Sequence, residues 1–244
     1  MSVEIDKDKV PNHIAVIMDG NGRWAQKKGA MRIFGHKNAM TAVRETIEAA
    51  AEVGVKYITL YAFSTENWSR PQDEINALMQ LLVNAIADEV GNMMKNNIRL
   101  SMIGDMASLP QACQSNLRSA MEKTKANTGL RVVLALSYSG KWDMEQAVKA
   151  IVEKVVSKDI SSEEITQDLI SSHLNTQGLP DPELLIRTSG ELRISNFMLW
   201  QMAYTELYFT EVLWPDFRKE HLLEAILAYQ KRERRFGKTG AQIK

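Results

Sequence analysis

Short apolar runs of strand length recur along the chain and alternate with segments of helical spacing. The runs lie at residues 14–18, 57–63, 98–103, 131–136, 184–187 and 207–209. Uninterrupted runs of this kind are typical of strands buried on both faces of a parallel sheet, and alternation with helices is typical of βα units. The pattern therefore predicts an α/β fold in which helices surround a central, mostly parallel sheet of about six strands.

Two helical segments matter most for function. One is predicted at 41–53, with Gly54 as its C-terminal cap. A longer one follows Pro71, because apolar side chains recur every three or four residues from Ile75 to Met93. Packing of this face on the sheet is the more usual arrangement for such a helix. The alternative is that part of the face lines an apolar tunnel between sheet and helices, and the sequence does not separate core positions from tunnel positions. Further helices are predicted at 105–128, 141–156, 161–174 and 217–236.

Composition narrows the class of protein. The 244 residues contain no linker-like segment, which predicts one domain over 1–244, with flexible ends at 1–10 and 238–244. The 30 basic and 30 acidic residues balance, so the net charge favours neither nucleic acid nor an anionic membrane. The single Cys113 excludes an internal disulfide and a multi-cysteine metal cluster. No apolar stretch approaches the ~20 residues of a membrane span, so we expect a cytoplasmic protein, able at most to visit a membrane surface.

The most informative stretch follows the first apolar run. Asp19-Gly20-Asn21-Gly22-Arg23 stands at the end of the first predicted strand, where open α/β sheets bind their ligands. Two glycines allow the backbone to approach a phosphate closely, and a helix starting near Gly22 would direct N–H groups to the same place. A carboxylate repels phosphate unless a divalent cation lies between them, so Asp19 is predicted to bind Mg²⁺.

Other residues of this segment can add positive charge. Arg23, Arg32 and His36 lie one to three helical turns onward and are candidate cationic donors to phosphate. Asp-Gly and Asn-Gly are also hairpin signals, so an ordinary turn is the alternative. The segment 24–30 does not alternate as a returning strand would, which weakens that alternative. From spacing alone the two interpretations are about equally supported.

Several long strings resemble one protein family. They are HIAVIMDGNGRWA at 13–25, GHK at 35–37, LYAFSTENWSRP at 60–71, IRTSGELRISNF at 186–197 and LWQMAYTELYFTEVLWPDF at 199–217. Together they resemble the signatures of the cis-prenyltransferases, most closely the bacterial members that make undecaprenyl diphosphate. The resemblance extends over roughly 11–237. There is no Asp-Asp pair, so the Asp-Asp-x-x-Asp motif of the all-helical trans-prenyltransferases is absent.

The resemblance implies a reaction and its partners. The expected enzyme is a Mg²⁺-dependent transferase that condenses isopentenyl diphosphate repeatedly, in cis, onto an allylic diphosphate such as farnesyl diphosphate. The product would be a long polyprenyl diphosphate such as undecaprenyl diphosphate, the lipid-carrier precursor for cell-wall polysaccharide and peptidoglycan synthesis. The family also implies a homodimer, with peripheral contact at the inner face of the membrane for product release.

The resemblance also assigns residues to roles. Asp19 and Asn67 are the implied catalytic pair, and Asp19 and Glu206 the implied metal ligands. The implied substrate-binding residues are Gly20, Asn21, Gly22, Arg23, Trp24, Arg32, His36, Ser64, Thr65, Glu66, Trp68, Arg70, Arg187, Arg193, Ile194 and Ser195. The implied tunnel residues are Ala62, Ile98 and Leu130, and the implied contacts to a partner subunit's site are Arg235 and Gly237.

Without the resemblance these residues have simpler interpretations. Ser64 and Asn67 would be caps of the helix after Pro71, and Glu206 would be a salt-bridge residue. The chain departs from the family pattern at Leu192, where many bacterial relatives carry His, and at Ser189, which replaces a frequent Gly.

Three alternative functions stay open. One is a non-catalytic, phosphate-binding accessory subunit, although relatives of that kind lack the Asp that stands here at Asp19. Another is a nucleotide-binding α/β protein, although the glycine loop lacks the Gly-Lys-Ser or Gly-Lys-Thr ending of a P-loop. The third is a cis-prenyltransferase with a shorter product.

Overall fold

The computed structural model describes residues 5–234 of the chain. Its strands are β1 (His13–Ile17), β2 (Tyr57–Ser64), β3 (Arg99–Ile103), β4 (Arg131–Tyr138), β5 (Leu184–Arg187) and β6 (Glu206–Phe209). They form one sheet in the order β3-β4-β2-β1-β5-β6, and every neighbouring pair is parallel. The predicted α/β fold with a parallel six-stranded sheet is confirmed, and each predicted apolar run coincides with a strand.

Helices cover both faces of this sheet. They are α1 (Asn21–Lys27), α2 (Arg32–Val53), α3 (Gln72–Lys95), α4 (Gln111–Thr124), α5 (Gly140–Val156), α6 (Gln167–His173) and α7 (Lys219–Gln230). Helix α2 begins nine residues before the predicted start at position 41, because its first turns carry few large apolar side chains. None of the helices within 5–234 combines the length and apolar content that crossing a bilayer requires.

The predicted single helix at 161–174 is wrong. The capping box of Ser161 and Glu164 is present, but it caps the short 3-10 helix Ser162–Glu164. Helix α6 then begins with its own cap, in which the Thr166 hydroxyl accepts a hydrogen bond from Leu169 N at 3.2 Å. Pro110 likewise separates a 3-10 turn from α4 in the predicted 105–128 helix.

The apolar core lies on both faces of the sheet. Every residue of β1 is buried, and the side chains of Ile14 and Val16 pack on the face covered by α2, α3, α4 and α7. Ala15 and Ile17 face the opposite layer, which contains Phe197. Strand β1 lies between β2 and β5, so the carboxyl ends of these three strands meet at one edge of the sheet. That edge carries the candidate site.

The described part of the N-terminal segment is attached to the last helix. Residues Lys7–Lys9 form a 3-10 turn. Asp6 N donates to Gln230 Oε1 at 3.3 Å, and Gln230 Nε2 donates to Asp6 O at 2.7 Å. The rest of the predicted flexible ends, at 1–4 and 238–244, lies outside the described residues.

Candidate active site

A cavity of about 750 Å³ lies between the sheet and helices α2 and α3. Its walls are mostly apolar, and its lining includes Met40, Val43, Leu60, Phe63, Leu78, Leu82, Ala85, Ile86, Leu100 and Leu136. At the carboxyl edge of the sheet the lining becomes polar, with Asp19, Asn67 and Arg187. The apolar tunnel between sheet and helices is therefore present, and it opens beside the predicted catalytic pair.

Asp19 lies shortly after β1, and both oxygens of its carboxylate accept hydrogen bonds from the protein. Oδ1 accepts a hydrogen bond from Gly20 N at 2.7 Å. Oδ2 accepts one from Arg187 Nη2 at 2.9 Å, and Arg23 Nη2 lies 3.5 Å from the same oxygen. A carboxylate has about four lone-pair positions, so these three donors leave room for one further partner. Asp19 can therefore still coordinate a cation while it stays attached to Arg187.

Thr188 fixes the backbone of Asp19. Its hydroxyl accepts a hydrogen bond from Asp19 N at 2.9 Å and donates one to Asp19 O at 2.7 Å. The side chain is completely buried, and Trp214 N also donates to Asp19 O at 3.0 Å. One hydroxyl of the residue after β5 thus sets the position of the carboxylate after β1. The sequence gives no local signal for this role, because the contact joins residues 169 positions apart.

Two glycines permit the close packing of this edge. Gly20 has φ +106°, and a Cβ there would lie 2.9 Å from Leu213 Cδ2. Gly35 in α2 lies against the start of α1, where a Cβ would be 2.0 Å from Asn21 O. A side chain at position 20 would press against Leu213, and one at position 35 would push α1 and α2 apart. Gly35 was not predicted as a site residue, because the predicted helix began only at position 41.

Arg187 is the buried cationic centre of the site. Its side chain is only 3% exposed. Besides Asp19, the guanidinium contacts Ser195 Oγ, to which Nη1 donates at 2.7 Å, and the carbonyl oxygen of Arg193. Buried charge of this kind is tolerated only with such partners. The predicted cluster of Arg187, Arg193 and Ser195 is thus brought together at the cavity.

The loop that carries Ser195 has an unusual backbone. Ser195, Asn196 and Met198 all have positive φ, at 47°, 59° and 45°. Left-handed conformations of non-glycine residues cost energy and are concentrated at functional sites. Asn196 Nδ2 donates to Glu66 Oε1 at 2.6 Å, which links this loop to the segment after β2. Arg193, in the same loop, is 61% exposed and pairs with Glu191.

Asn67 and Ser64 form a capping box at the 3-10 helix Thr65–Ser69. Asn67 Oδ1 accepts a hydrogen bond from Ser64 N at 3.1 Å. The amide oxygen uses one of its lone pairs in this bond, and the NH₂ is the group that Asn67 can offer to a ligand as a donor. Both residues line the cavity. Ser64 and Asn67 therefore cap a helix and line the cavity at the same time.

His36 and Arg70 form the α2–α3 side of the opening. Both line the cavity, and Arg70 Nη1 donates to Glu74 Oε1 at 3.0 Å. Burial lowers the pKa of His36 to about 4, and the nearby charge of Arg70 adds to this effect. Among its protein neighbours alone the ring therefore favours the neutral form at pH 7, and the role of His36 as a cationic donor to phosphate stays a prediction. Its Nδ1 lies 3.3 Å from Asn21 Nδ2 and can accept that hydrogen bond.

Several predicted substrate-binding residues lie beside the cavity rather than in its lining. They are Gly20, Gly22, Arg23, Trp24, Arg32, Thr65, Trp68 and Ile194. Trp24 stacks on Phe34 and its Nε1 donates to Asp216 at 2.8 Å, while Trp68 Nε1 donates to Ser137 Oγ at 2.9 Å. These two indoles are held by protein partners. The side chain of Arg32 is 60% exposed, and its Nη1 lies 4.0 Å from Glu74 Oε2. The Nε of Arg32 lies close to Gly22, where a Cβ would be only 2.7 Å away.

Thr65 and Ile194 also have protein partners. Thr65 Oγ1 donates to Ser139 Oγ at 2.8 Å, and Ile194 packs against the second core layer. Both therefore support the loops that carry the lining residues.

Glu206 is not brought together with Asp19. It is the first residue of β6 and pairs in register with Leu184, at the amino end of β5, whereas Asp19 follows the carboxyl end of β1. Its carboxylate instead accepts a hydrogen bond from Arg232 Nη1 at 2.8 Å. Within one protomer the structure thus contradicts a metal site shared by Asp19 and Glu206, because Asp19 lies at the carboxyl ends of the parallel strands and Glu206 at their amino ends.

The three predicted tunnel residues differ in position. Ala62 and Ile98 line the cavity. Leu130 is 4% exposed and belongs to the core, while the following β4 residues Val132 and Leu134 take the lining positions. Leu130 is thus not part of the lining itself, and its place along or at the floor of the tunnel stays a prediction. Arg235 and Gly237, predicted to reach a partner subunit, lie outside the described residues.

The donor set at the opening suits a magnesium ion bound together with a phosphate ligand. Residues 5–234 contain no group of three or more His, Cys, Asp or Glu side chains that could hold a metal alone. Mg²⁺ is commonly bound by one or two carboxylates plus substrate phosphates, so a preformed protein cage is not required. Asp19 is the carboxylate in position to take part.

Comparison with known proteins agrees with this geometry. The family model Prenyltransf, described as "Putative undecaprenyl diphosphate synthase", matches residues 17–237. A ditrans,polycis-undecaprenyl-diphosphate synthase specific for (2E,6E)-farnesyl diphosphate, from Vibrio vulnificus, is 53% identical over 237 residues, or 97% of this chain and 94% of the relative. An isoprenyl transferase from Porphyromonas gingivalis is 53% identical over 96% of this chain and 92% of its own length.

A solved structure gives the same result for the fold. The crystal structure of lavandulyl diphosphate synthase from Lavandula x intermedia, in complex with dimethylallyl diphosphate, superposes with a TM-score of 0.92. It is 35% identical and covers 95% of this chain and 100% of that chain. The match thus extends over the sheet, the helices and the cavity together. The chain belongs to the undecaprenyl diphosphate synthase family and is a cis-prenyltransferase.

Proposed function

We propose that the chain condenses isopentenyl diphosphate repeatedly, in cis, onto farnesyl diphosphate and makes undecaprenyl diphosphate. The observation that carries this proposal is the apolar cavity of about 750 Å³, whose lining at the carboxyl ends of the strands includes the bonded pair Asp19 and Arg187. An apolar channel that begins at a carboxylate and a guanidinium suits a substrate with a charged head and a long hydrocarbon tail.

The diphosphate of isopentenyl diphosphate is assigned to Arg187, Arg193 and Ser195. Guanidinium groups bind phosphate oxygens through paired, charge-assisted hydrogen bonds, and Arg193 is exposed enough to turn from Glu191 toward a ligand. Arg187 is already fixed by Ser195, so little conformational freedom is lost on binding.

The allylic diphosphate is assigned to donors from α1, α2 and the segment after β2. Its donors would be Arg23, Arg32, Arg70 and the backbone N–H groups of residues 20–22. Arg70 lines the cavity, whereas Arg32 is largely exposed and paired with Glu74. Negative charge grows on the departing diphosphate, so fixed cationic donors at this point stabilise the transition state.

Mg²⁺, held by Asp19 and the diphosphate oxygens, would neutralise part of the leaving group's charge. In the reaction the allylic C–O bond breaks, and the isopentenyl double bond attacks the allylic carbon to form a new C–C bond. The C2 proton of the isopentenyl unit is then lost. The side chains named above hold the two substrates so that these bonds form and break at the opening of the channel.

Asn67 orients rather than accepts the proton. Its amide oxygen is bonded to Ser64 N, and the remaining NH₂ can only donate. The proton acceptor is therefore either the Asp19 carboxylate or an oxygen of the diphosphate that Asn67 holds. Asp19 keeps one lone-pair position in addition to its three protein donors, which would allow it to accept the proton only when that position does not hold Mg²⁺.

The quaternary structure and location are part of the same proposal. Val148, Val152 and Val156 recur every four residues on α5 and are 57%, 52% and 77% exposed. An exposed apolar stripe on one helix favours burial against a second copy of the chain, so we assign a homodimer. The enzyme would act in the cytoplasm and pass its product to the inner face of the membrane for peptidoglycan synthesis.

Product analysis tests the proposal. Pure protein is incubated with Mg²⁺, farnesyl diphosphate and labelled isopentenyl diphosphate, and the products are sized by chromatography. A ladder ending at undecaprenyl diphosphate supports the proposal. Products that stop after one or a few additions would establish the shorter-chain alternative, and no incorporation by the chain alone would indicate the accessory-subunit alternative.

A further inference from the structure

Helices α2 and α3 form two walls of the channel and run in the same direction, away from the catalytic edge. Two ion pairs join them. Arg32 lies 4.0 Å from Glu74 near the opening, and Arg44 pairs with Glu89 further along. The two ion pairs are 12 residues apart on α2 and 15 residues apart on α3, which corresponds to about 18 Å and about 22 Å along the helix axes.

The deeper pair is well defined. The Glu89 side chain is 14% exposed and the Arg44 side chain 49% exposed, and both residues line the cavity. Asn92 Nδ2 donates to Glu89 Oε2 at 3.1 Å. The hydrogen bond to Glu89 raises the pKa of Arg44. Burial opposes ionisation of Glu89, but its hydrogen bonds from Arg44 and Asn92 outweigh burial and lower its pKa.

The character of the lining changes at this pair. Between the two ion pairs the helices contribute Met40, Val43, Leu78, Leu82 and Ile86. Beyond the deeper pair they contribute Glu48, Asn92 and Asn96, along with Ile47 and Met93. A hydrocarbon tail that grows down the channel therefore meets a charged group that bridges the two walls, and then a more polar region.

We propose that the Arg44–Glu89 ion pair is a strap between the channel walls that the growing tail must displace to elongate further, so that it limits product length. The inference rests on the proposed function, because it needs a chain long enough to reach the strap. Arg44 is half exposed, so its guanidinium can turn to solvent when the tail passes. Each further addition then has to break the ion pair, whereas shorter chains never contact it.

Charge removal and charge exchange test the strap. Glu89→Gln keeps the side-chain volume and an acceptor for Asn92, and Arg44→Gln removes the opposite charge. The double exchange Arg44→Glu with Glu89→Arg restores an ion pair with reversed polarity. Lys219→Ala is the matched control, because it breaks the ion pair of Lys219 with Glu52, which also ties α2 to a neighbouring helix but does not line the cavity.

The readout is the product distribution at saturating isopentenyl diphosphate, measured beside the rate of a single addition to farnesyl diphosphate. We expect both single variants to shift the distribution by about one isoprene unit or more toward longer products, with the first addition changed less than about twofold. The exchanged pair should return the distribution to that of the unmodified enzyme, and Lys219→Ala should not change it. Thermal unfolding of each variant confirms that it is folded.

Three results would contradict the proposal that the Arg44–Glu89 ion pair limits product length. One is an unchanged product distribution in folded Glu89→Gln and Arg44→Gln. Another is a shift in the single variants that the exchanged pair does not reverse, since this would mean that the ion pair is not what limits product length. The third is an unmodified enzyme that makes no polyprenyl product, which would overturn the proposed function as well and is recognised from that sample alone.

Discussion

Arg187 Nη2 donates to Asp19 Oδ2 at 2.9 Å, so the side chain assigned to a diphosphate and the side chain assigned to a cation are bonded to each other. Ligands of opposite charge therefore affect the same contact. A diphosphate that attracts the guanidinium weakens its hold on the carboxylate, and a cation at Asp19 weakens the carboxylate's hold on Arg187. Binding of the two ligands is thus expected to be cooperative.

Asp19→Asn should abolish turnover while the fold is kept. The amide retains an oxygen for Arg187, whereas Asp19→Ala would leave that buried guanidinium without its acidic partner. We expect kcat/KM to fall by at least about 100-fold in both variants, because the charge at the reacting centre is lost. Thermal unfolding should show the smaller loss of stability for Asn. Near-normal kcat/KM in Asp19→Asn would refute the assigned role.

Arg193→Ala should discriminate between the two substrates. Its guanidinium is assigned to isopentenyl diphosphate, so KM for that substrate should rise by about tenfold while KM for the allylic partner changes little. Steady-state kinetics with each substrate varied in turn measures both constants. Arg118→Ala, at an exposed position on α4, is the control for a lost surface charge. Equal effects on the two KM values would contradict the assignment of sites.

Thr188→Val should slow the reaction through Asp19. Valine has a similar shape but loses both hydrogen bonds to the Asp19 backbone. We expect kcat to fall by about tenfold with smaller changes in KM, because a small displacement of a catalytic group is costly. Thr188→Ser keeps the hydroxyl and should restore most of the rate. If Val and Ser variants have the same kcat, the hydroxyl does not position Asp19.

Ser189→Gly should stabilise the protein. Ser189 has φ +83°, and its hydroxyl is buried without a hydrogen-bond partner among the described residues. Glycine removes the strain of the positive φ and the buried hydroxyl that has no partner in the described part of the chain, although a glycine loses more backbone entropy on folding. The net gain should be about 1 kcal/mol in the free energy of unfolding. Denaturant unfolding measures it, and Ser189→Ala, which removes only the hydroxyl, separates the two contributions.

Acid should weaken the fold through His13. Nδ1 lies 2.6 Å from Pro180 O and must donate to it, so Nε2 accepts from Thr59 Oγ1 at 2.7 Å and the ring is neutral. Burial lowers its pKa from 6.5 to about 4. The unfolded chain therefore binds more protons between these values, and stability is complete above pH 6.5 and is lost as the pH falls toward 4. The loss is about 3 kcal/mol.

Unfolding free energies measured from pH 7 to pH 4 test this expectation. His13→Gln keeps one donor and one acceptor but cannot be protonated, so it should show a flatter pH dependence than the unmodified protein. His36 also has a pKa near 4 and remains in both proteins, so the difference between the two curves isolates His13. Parallel curves would contradict the assignment.

The strands were predictable because each is a local run of apolar residues. Strand order then brings Asp19, Ser64 and Arg187 to one edge, which the parallel arrangement also predicted. Residues whose roles depend on register were not predictable. Glu206 lies in a recognisable motif, but it is the first residue of β6 and therefore lies at the amino ends of the strands, away from Asp19. Thr188 was missed for the opposite reason, because its function lies in a contact with a distant strand and not in its own motif.

The central position of β1 has a consequence for how the enzyme can change. The groups assigned to the chemistry follow β2, β1 and β5, in the interior of the sheet, where local opening requires breaking hydrogen bonds on both sides of each strand. The helical part of the hydrocarbon wall, in contrast, is carried by α2 and α3 on a single face, opposite the sheet residues that complete the lining. New product sizes are therefore accessible through substitutions in two helices, while the rate-determining geometry at the sheet edge stays the same.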